Sequence, residues 1–108
     1  MVYYAEKGGK MYLIDEIRKK RDDIYAMARE HKAEKLWVFG SCARKEETPK
    51  SDVDFLVRFA EGTSLLDQGG LSVGLSSLLG RSVDVVDSDV IRREPFFAYA
   101  VKKDLVAL

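Results

Sequence analysis

The chain has one cysteine and one histidine, and these two shortages exclude several kinds of site at once. Cys42 alone cannot form a disulfide framework, so we expect a reducing, cytoplasmic environment. His31 alone is too little imidazole for a zinc site or for a histidine-based catalytic triad. Any chemistry must therefore depend on carboxylates, hydroxyls, cations or an added metal ion.

An excess of charge of one sign is also lacking, because 18 Lys and Arg balance 18 Asp and Glu. A net charge of zero removes the usual electrostatic argument for binding nucleic acid or an anionic membrane. No apolar run approaches the roughly 20 residues of a membrane span, and no signal peptide is visible at the N-terminus. We therefore expect neither a membrane partner nor a nucleic-acid partner.

What is present fits one globular domain of 108 residues, 46% of them apolar and 33% charged. Residues 1–10 are expected to form an N-terminal arm, and residues 11–108 to form the folded domain. Helical spacing predicts an amphipathic helix from Tyr12 to about His31. A second helix from Leu65 to Leu79 is weakened by internal glycines and ended by Gly80.

Short apolar segments indicate β-strands at residues 36–39, 53–59 and 82–87. Ser41 is expected to cap a short helical turn after the first of them, and Pro95 to lead into a last helical segment. The pattern predicts an α+β domain, in which a small mixed sheet of three or four strands is covered by helices.

Two aspartates stand at the start of the most strand-like segment, where carboxylates are poorly suited. Asp52 and Asp54 are two residues apart and would project from the same face, while Val53 and Phe55 point into the core. Adjacent carboxylates repel each other unless cations lie between them, and Mg²⁺ prefers such oxygen ligands. If the strands at 53–59 and 82–87 are neighbours, Asp84 can complete a three-carboxylate metal site.

A candidate phosphate site precedes these aspartates. Gly40 and Ser41 follow the first strand, where glycine lets the backbone approach a ligand closely and the start of a helical turn offers free N–H groups. The Ser41 hydroxyl adds a donor, and Arg44, one turn later, can reach a phosphate oxygen. A phosphate cradle beside a carboxylate metal site indicates an enzyme that uses a metal-bound nucleotide.

Residues 40–57, GSCARKEETPKSDVDFLV, resemble the signature of the DNA polymerase β-like nucleotidyltransferase superfamily, above all its small MNT-type minimal nucleotidyltransferases. The matching positions are Gly40, Ser41, Ala43, Arg44, Ser51, Asp52, Asp54 and Val57. The segment GRSVDVV resembles the later strand of that family, which carries a third aspartate. Lys45 stands where the family usually has glycine, so we expect ordinary backbone dihedrals there.

The resemblance implies nucleotidyl transfer, in which an acceptor hydroxyl attacks the α-phosphate of ATP or another nucleoside triphosphate. It implies two Mg²⁺ ions, or Mn²⁺, with Asp52 and Asp54 holding both and Asp84 holding the one that activates the acceptor. Gly40 and Ser41 would fix the β- and γ-phosphates. Proteins of this kind typically act as antitoxins of HEPN-domain toxins, and some transfer AMP to a tyrosine of the toxin.

Several alternatives stay open at this level. Asp87 or Asp89 could replace Asp84 as third carboxylate, although a helix cap suits them better. Cys42 beside the motif is expected to pack rather than to act as a nucleophile. The protein could instead neutralise its partner by contact alone, or modify a small molecule or an RNA end. Formation of a homo-oligomer is also open.

Overall fold

In a computed structural model, residues 3–4 and 10–108 are described, with side chains from Tyr12 onward. The helices are α1 (Leu13–Lys19), α2 (Arg21–Glu30), α3 (Gly40–Ala43), α4 (Leu65–Leu79), α5 (Val90–Arg93) and α6 (Pro95–Lys102). The strands are β1 (Tyr3–Tyr4), β2 (Lys10–Met11), β3 (Ala33–Phe39), β4 (Val53–Phe59), β5 (Val83–Asp87) and β6 (Val106–Ala107). The remainder of the predicted arm, residues 1, 2 and 5–9, lies outside the described residues, so its boundary stays a prediction.

The main sheet has four strands in the order β5-β4-β3-β6, and a separate antiparallel pair joins β1 to β2. Strand β3 is antiparallel to both β4 and β6, whereas β4 and β5 run parallel. The end of β3 therefore lies at the same edge of the sheet as the starts of β4 and β5. This mixed sheet with covering helices confirms the predicted fold class.

One apolar cluster joins α1, α2 and α4 to one face of the sheet. Its fully buried members from the helices include Leu13, Ile17, Ile24, Leu71 and Leu75, and those from the strands are Leu36, Val38, Val53, Phe55 and Val57. Val53 and Phe55 are both 0% exposed, as the alternation in β4 predicted. The core thus fixes which way Asp54, the residue between them, faces.

The single helix predicted from Tyr12 to about His31 is wrong, because the chain forms α1 and α2 with a break at Lys20. The Lys20 N–H bonds to the carbonyls of both Glu16 and Ile17, and its φ is −96°. Ile17 and Ile24, both buried, are seven residues apart, which also equals two turns of an uninterrupted helix. Periodicity therefore could not reveal the break.

Three other local predictions need correction. Strand β3 begins at Ala33 instead of Leu36, with a register irregularity between Ala33 and Lys35 that interrupts the alternation. Ser41 does not cap α3, because Phe39 occupies the N-cap position and no side chain bonds there. Lys45 has a φ of +61°, so it keeps a left-handed turn despite its side chain.

Candidate active site

The predicted carboxylates meet at the edge of the sheet where β4 and β5 begin. Asp54 lies directly opposite Asp84 in the parallel pair and directly opposite Phe39 on β3. The Asp54 and Asp84 carboxyl groups are close enough for the charge of Asp84 to act on Asp54. Asp52 immediately precedes β4 and is exposed. The parallel register therefore brings Asp84 into contact with Asp54.

Burial and like charge act together on the central aspartate. Asp54 is half-buried, and removal from water, followed by the negative charges of Asp84 and Asp52, raises its pKa from 3.8 to about 6. The positive charge of Arg44 opposes this rise only in part. The site thus holds more negative charge than its own cations neutralise, as expected of residues that bind a cation.

The three carboxylates do not form a closed cage as they stand. Among the residues that the structure describes, no three Asp, Glu, His or Cys side chains are grouped so as to hold a metal ion. Asp52 and Asp84 are both exposed, so their side chains can rotate toward Asp54 without displacing packed atoms. The arrangement therefore offers carboxylate oxygens along two neighbouring strands, and a bound cation would draw these side chains together.

Gly40 lies against the same carboxylate. Its φ is +76°, and a Cβ atom placed on it would stand 2.5 Å from Oδ2 of Asp54. Any side chain at this position would collide with the carboxylate and would also strain the backbone. The start of α3 and the carboxylate site are consequently one continuous surface, with the half-buried Ser41 next along the chain.

Arg44 is engaged elsewhere in this conformation. Its Nη1 lies 2.7 Å from Oδ2 of Asp104, and its Nε lies 3.3 Å from Oε1 of Glu46. The hydrogen bond with Asp104 raises the pKa of Arg44, so the guanidinium is charged at neutral pH. Contact between Arg44 and a phosphate stays a prediction.

The alternatives to Asp84 lie at the other end of β5. Asp87 pairs with Val57, three positions beyond the pair formed by Asp54 and Asp84, which is about 10 Å along a strand. Its Oδ1 accepts the backbone N–H of Asp89, and Asp89 occupies the N-cap position of α5. These aspartates therefore organise the turn that follows β5 rather than the carboxylate site.

Cys42 is unsuited to nucleophilic catalysis. It is 0% exposed, and burial, with the nearby charge of Glu47, raises the pKa of its thiol to about 12. The reactive thiolate is therefore negligible at neutral pH. Its burial agrees with the packing role expected from the sequence.

Two residues at this edge had no signal in the sequence. Arg81 donates hydrogen bonds to the carbonyl oxygens of Thr48 and Ser51, and Asp104 accepts a hydrogen bond from Arg44. Arg81 lies within GRSVDVV, where the resemblance concerned only the aspartate, and Asp104 lies in no motif; the partners of both are far away in the chain. Only a contact map of the folded chain could have found them.

Comparisons with known proteins agree with this geometry. The family model "Nucleotidyltransferase domain" matches residues 14–108. A Methanocaldococcus jannaschii protein named "Putative protein adenylyltransferase" is 42% identical over 73 residues, covering 68% of this chain and 75% of that protein. A solved "putative minimal nucleotidyltransferase" superposes with a TM-score of 0.75 at 36% identity, covering 91% of this chain and 97% of that chain.

The fold is also shared with a toxin–antitoxin complex. A chain in the structure of a tri-AMPylated HEPN toxin bound to its MNT antitoxin, from Shewanella oneidensis, gives a TM-score of 0.59 at 21% identity. The match covers 83% of this chain and 69% of that chain, and at this identity it shows the fold alone. The family match spans nearly the whole described domain. The chain therefore belongs to the nucleotidyltransferase domain family and is a nucleotidyltransferase.

Proposed function

We propose that this nucleotidyltransferase transfers AMP from ATP to a hydroxyl group of a partner protein, and that Asp52, Asp54 and Asp84 hold the divalent cations it needs. The observation that carries the proposal is the contact between Asp54 and Asp84 across neighbouring parallel strands. Two carboxylates this close repel each other at neutral pH, and a bound cation would relieve that repulsion. In the proposed function, this negative charge binds the divalent cations.

The residues at this edge fit Mg²⁺. All of the proposed ligands are carboxylate oxygens, which hard cations prefer, and two of the three side chains are exposed and able to move. When bound, the ions would neutralise the triphosphate and lower the pKa of the acceptor hydroxyl. We propose two ions, as the family resemblance implies, with Mn²⁺ as an alternative.

The chain itself would supply position and orientation. Gly40 lets the triphosphate approach the backbone beside Asp54, and the Ser41 hydroxyl donates to a phosphate oxygen. The acceptor oxygen then forms a bond to the α-phosphorus as the bond from that phosphorus to the β-phosphate oxygen breaks. Pyrophosphate leaves, and the hydroxyl proton passes to solvent. Holding the reacting groups in line contributes much of the rate enhancement.

The acceptor is proposed to be a protein, because the similar curated relatives carry the name protein adenylyltransferase. We further propose a HEPN-type toxin as the partner and a role as its antitoxin, as the resemblance implies. The single cysteine agrees with work in the cytoplasm. No helix among the residues described, 3–4 and 10–108, has both the length and the apolar character to cross a membrane.

The test is label transfer in a lysate of the native host with Mg²⁺, comparing α-labelled and γ-labelled ATP. We expect an α-labelled protein band with the wild type and none with Asp54→Asn. Asp22→Asn is the matched control, because that carboxylate is 99% exposed and remote from the site. A γ-labelled band would contradict the mechanism. Absence of any band, with protection from the partner retained in Asp54→Asn, would favour neutralisation by contact alone.

A further inference from the structure

We propose that Arg81 is a positioning residue, which holds Asp52 in place for cation binding through the backbone of the preceding turn. The inference rests on the proposed function, because it takes Asp52 to be a cation ligand. It concerns the segment Gly80–Ser82, which joins α4 to β5. This segment was assigned no role by the sequence motif.

The guanidinium of Arg81 bonds both ends of one tight turn. Its Nη1 donates to the Ser51 carbonyl oxygen and its Nη2 to the Thr48 carbonyl oxygen, each at 3.0 Å. The turn is closed by the Ser51 N–H on the Thr48 carbonyl at 3.0 Å and by the Thr48 N–H on Ser51 Oγ at 2.8 Å. One planar side chain thus fixes the whole turn that ends just before Asp52.

The residue after Arg81 fixes the other side of Asp52. The Val53 N–H donates to the Ser82 carbonyl at 3.0 Å, which extends the pairing of β4 with β5. Arg81 and Ser82 therefore hold Ser51 and Val53, the two neighbours of Asp52. Because the same segment leads directly into β5, it also sets the position of Asp84 relative to Asp52.

Asp52 needs this support because its own side chain has none. Among the contacts found for the described residues, no hydrogen bond or ion pair reaches its exposed carboxylate. Its position is therefore decided by its backbone alone. In metal sites, partners that orient a ligand commonly change metal affinity about 10-fold to 100-fold when they are removed.

Arg81 makes its observed hydrogen bonds to the backbone of the turn and not to a carboxylate. Both of its observed hydrogen bonds go to neutral carbonyl oxygens, and no ion pair of Arg81 is found in the described part of the chain. It lines a polar pocket of about 270 Å³ together with Lys50, Ser51 and Asp52. A role limited to loop stability would not require the guanidinium to lie beside a proposed cation ligand.

The test is a double-mutant cycle on Mn²⁺ binding, measured by electron paramagnetic resonance on the purified full chain. Arg81→Met should weaken Mn²⁺ binding about 10-fold. Arg81→Lys should weaken it as well, because one ammonium cannot span two carbonyls as the guanidinium does. In an Asp52→Asn background, Arg81→Met should cause no further loss. Arg58→Met is the control and should bind as the wild type does, because Arg58 pairs with Glu34 instead.

The outcomes separate the inference from the proposed function. An equal loss on Arg81→Met in the wild-type and Asp52→Asn backgrounds would mean general loosening and would overturn the positioning role. Unchanged Mn²⁺ binding in Arg81→Met would overturn it too. If the wild type binds no Mn²⁺ at all, the proposed function fails first, and the inference with it. Should Arg81→Met not fold, Arg81→Lys takes its place in the cycle, with the same deciding outcomes.

Discussion

At the scale of single residues, the candidate site, at the edge of the sheet where β4 and β5 begin, is built from groups that destabilise one another. Asp54 carries a carboxylate that is half-buried beside two others, and the absence of a side chain on Gly40 leaves room for its Oδ2. Such local conflict is typical of sites that bind a ligand, because the ligand resolves it. One substitution at either residue changes this balance, and the sign of the resulting change in stability can be predicted.

Asp54→Asn should stabilise the metal-free protein. The folded-state pKa is raised to about 6 from 3.8, so the stability present below pH 4 is lost as the pH rises through 6. The variant should therefore exceed the wild type by about 1–2 kcal/mol at pH 7, after allowance for solvent screening, and match it near pH 3.5. Urea unfolding in the presence of EDTA measures this, and a difference independent of pH would contradict it.

Gly40→Ala should destabilise the fold by more than Gly62→Ala does. Both glycines have positive φ, at +76° and +83°, so both substitutions strain the backbone. Only Gly40 has Asp54 within 2.5 Å of the new Cβ, whereas the space around Gly62 is open. We expect an extra loss of about 1–3 kcal/mol and loss of transfer for Gly40→Ala. Equal thermal unfolding of the two variants would show that the carboxylate simply moves away.

At the scale of elements, α4 forms although its internal glycines lower its helix propensity. Ser64 and Asp67 form a capping box at its start, and Gly80, with φ +65°, ends it. The internal glycines lower helix propensity, yet Gly70 and Gly74 face α2 closely, against His31 and Met27. The sequence showed the cost of these glycines, but only the packing of two helices shows why they are present.

Two neighbouring glycines of α4 should respond differently to substitution by alanine. A Cβ on Gly69 would meet nothing within 4 Å, so Gly69→Ala should stabilise by about 0.5–1 kcal/mol through helix propensity. A Cβ on Gly70 would stand 2.8 Å from Cε1 of His31, so Gly70→Ala should lose that gain. Thermal unfolding of the two variants measures the difference. Equal stabilisation would mean that α2 and α4 separate freely.

At the scale of the whole molecule, the candidate site is assembled from segments that are far apart in the chain. It takes Gly40 from the start of α3, Asp54 from β4 and Asp84 from β5. The C-terminal segment reaches the same region through the ion pair of Asp104 with Arg44. The Leu108 N–H bonds the Leu36 carbonyl at 3.1 Å and so joins this segment to β3. Ligand binding at this edge should therefore raise the stability of the whole domain.

Saturating Mg²⁺ and ATP should raise the thermal stability of the entire domain in one transition. At a ligand concentration about 100-fold above Kd the gain is about 2.7 kcal/mol, or roughly 10 °C in Tm. EDTA should reverse the shift, and Asp54→Asn should show little of it. Calorimetry with and without the ligands measures both. A shift of the same size in Asp54→Asn would place the binding site elsewhere.

The sequence by itself determined the chemistry and the locally encoded elements. The bounds of β4, the αL end of α4 at Gly80 and the inward direction of Val53 and Phe55 were all predicted, because alternation and capping depend on neighbours in the chain. Asp52, Asp54 and Gly40 stood out because their residue types conflict with their positions. Such conflicts can be seen without a fold.

Only the tertiary structure decided which distant groups meet. Parallel register set Asp84, and not Asp87, opposite Asp54. The C-terminal segment folds back so that Asp104 accepts a hydrogen bond from Arg44. The turn after α4 places Arg81 where it donates to the carbonyl oxygen of Ser51, next to Asp52. These contacts join residues far apart in the chain, and a backbone carbonyl carries no residue-specific signal. Their existence follows from strand register and helix packing, which arise only when the whole core is assembled.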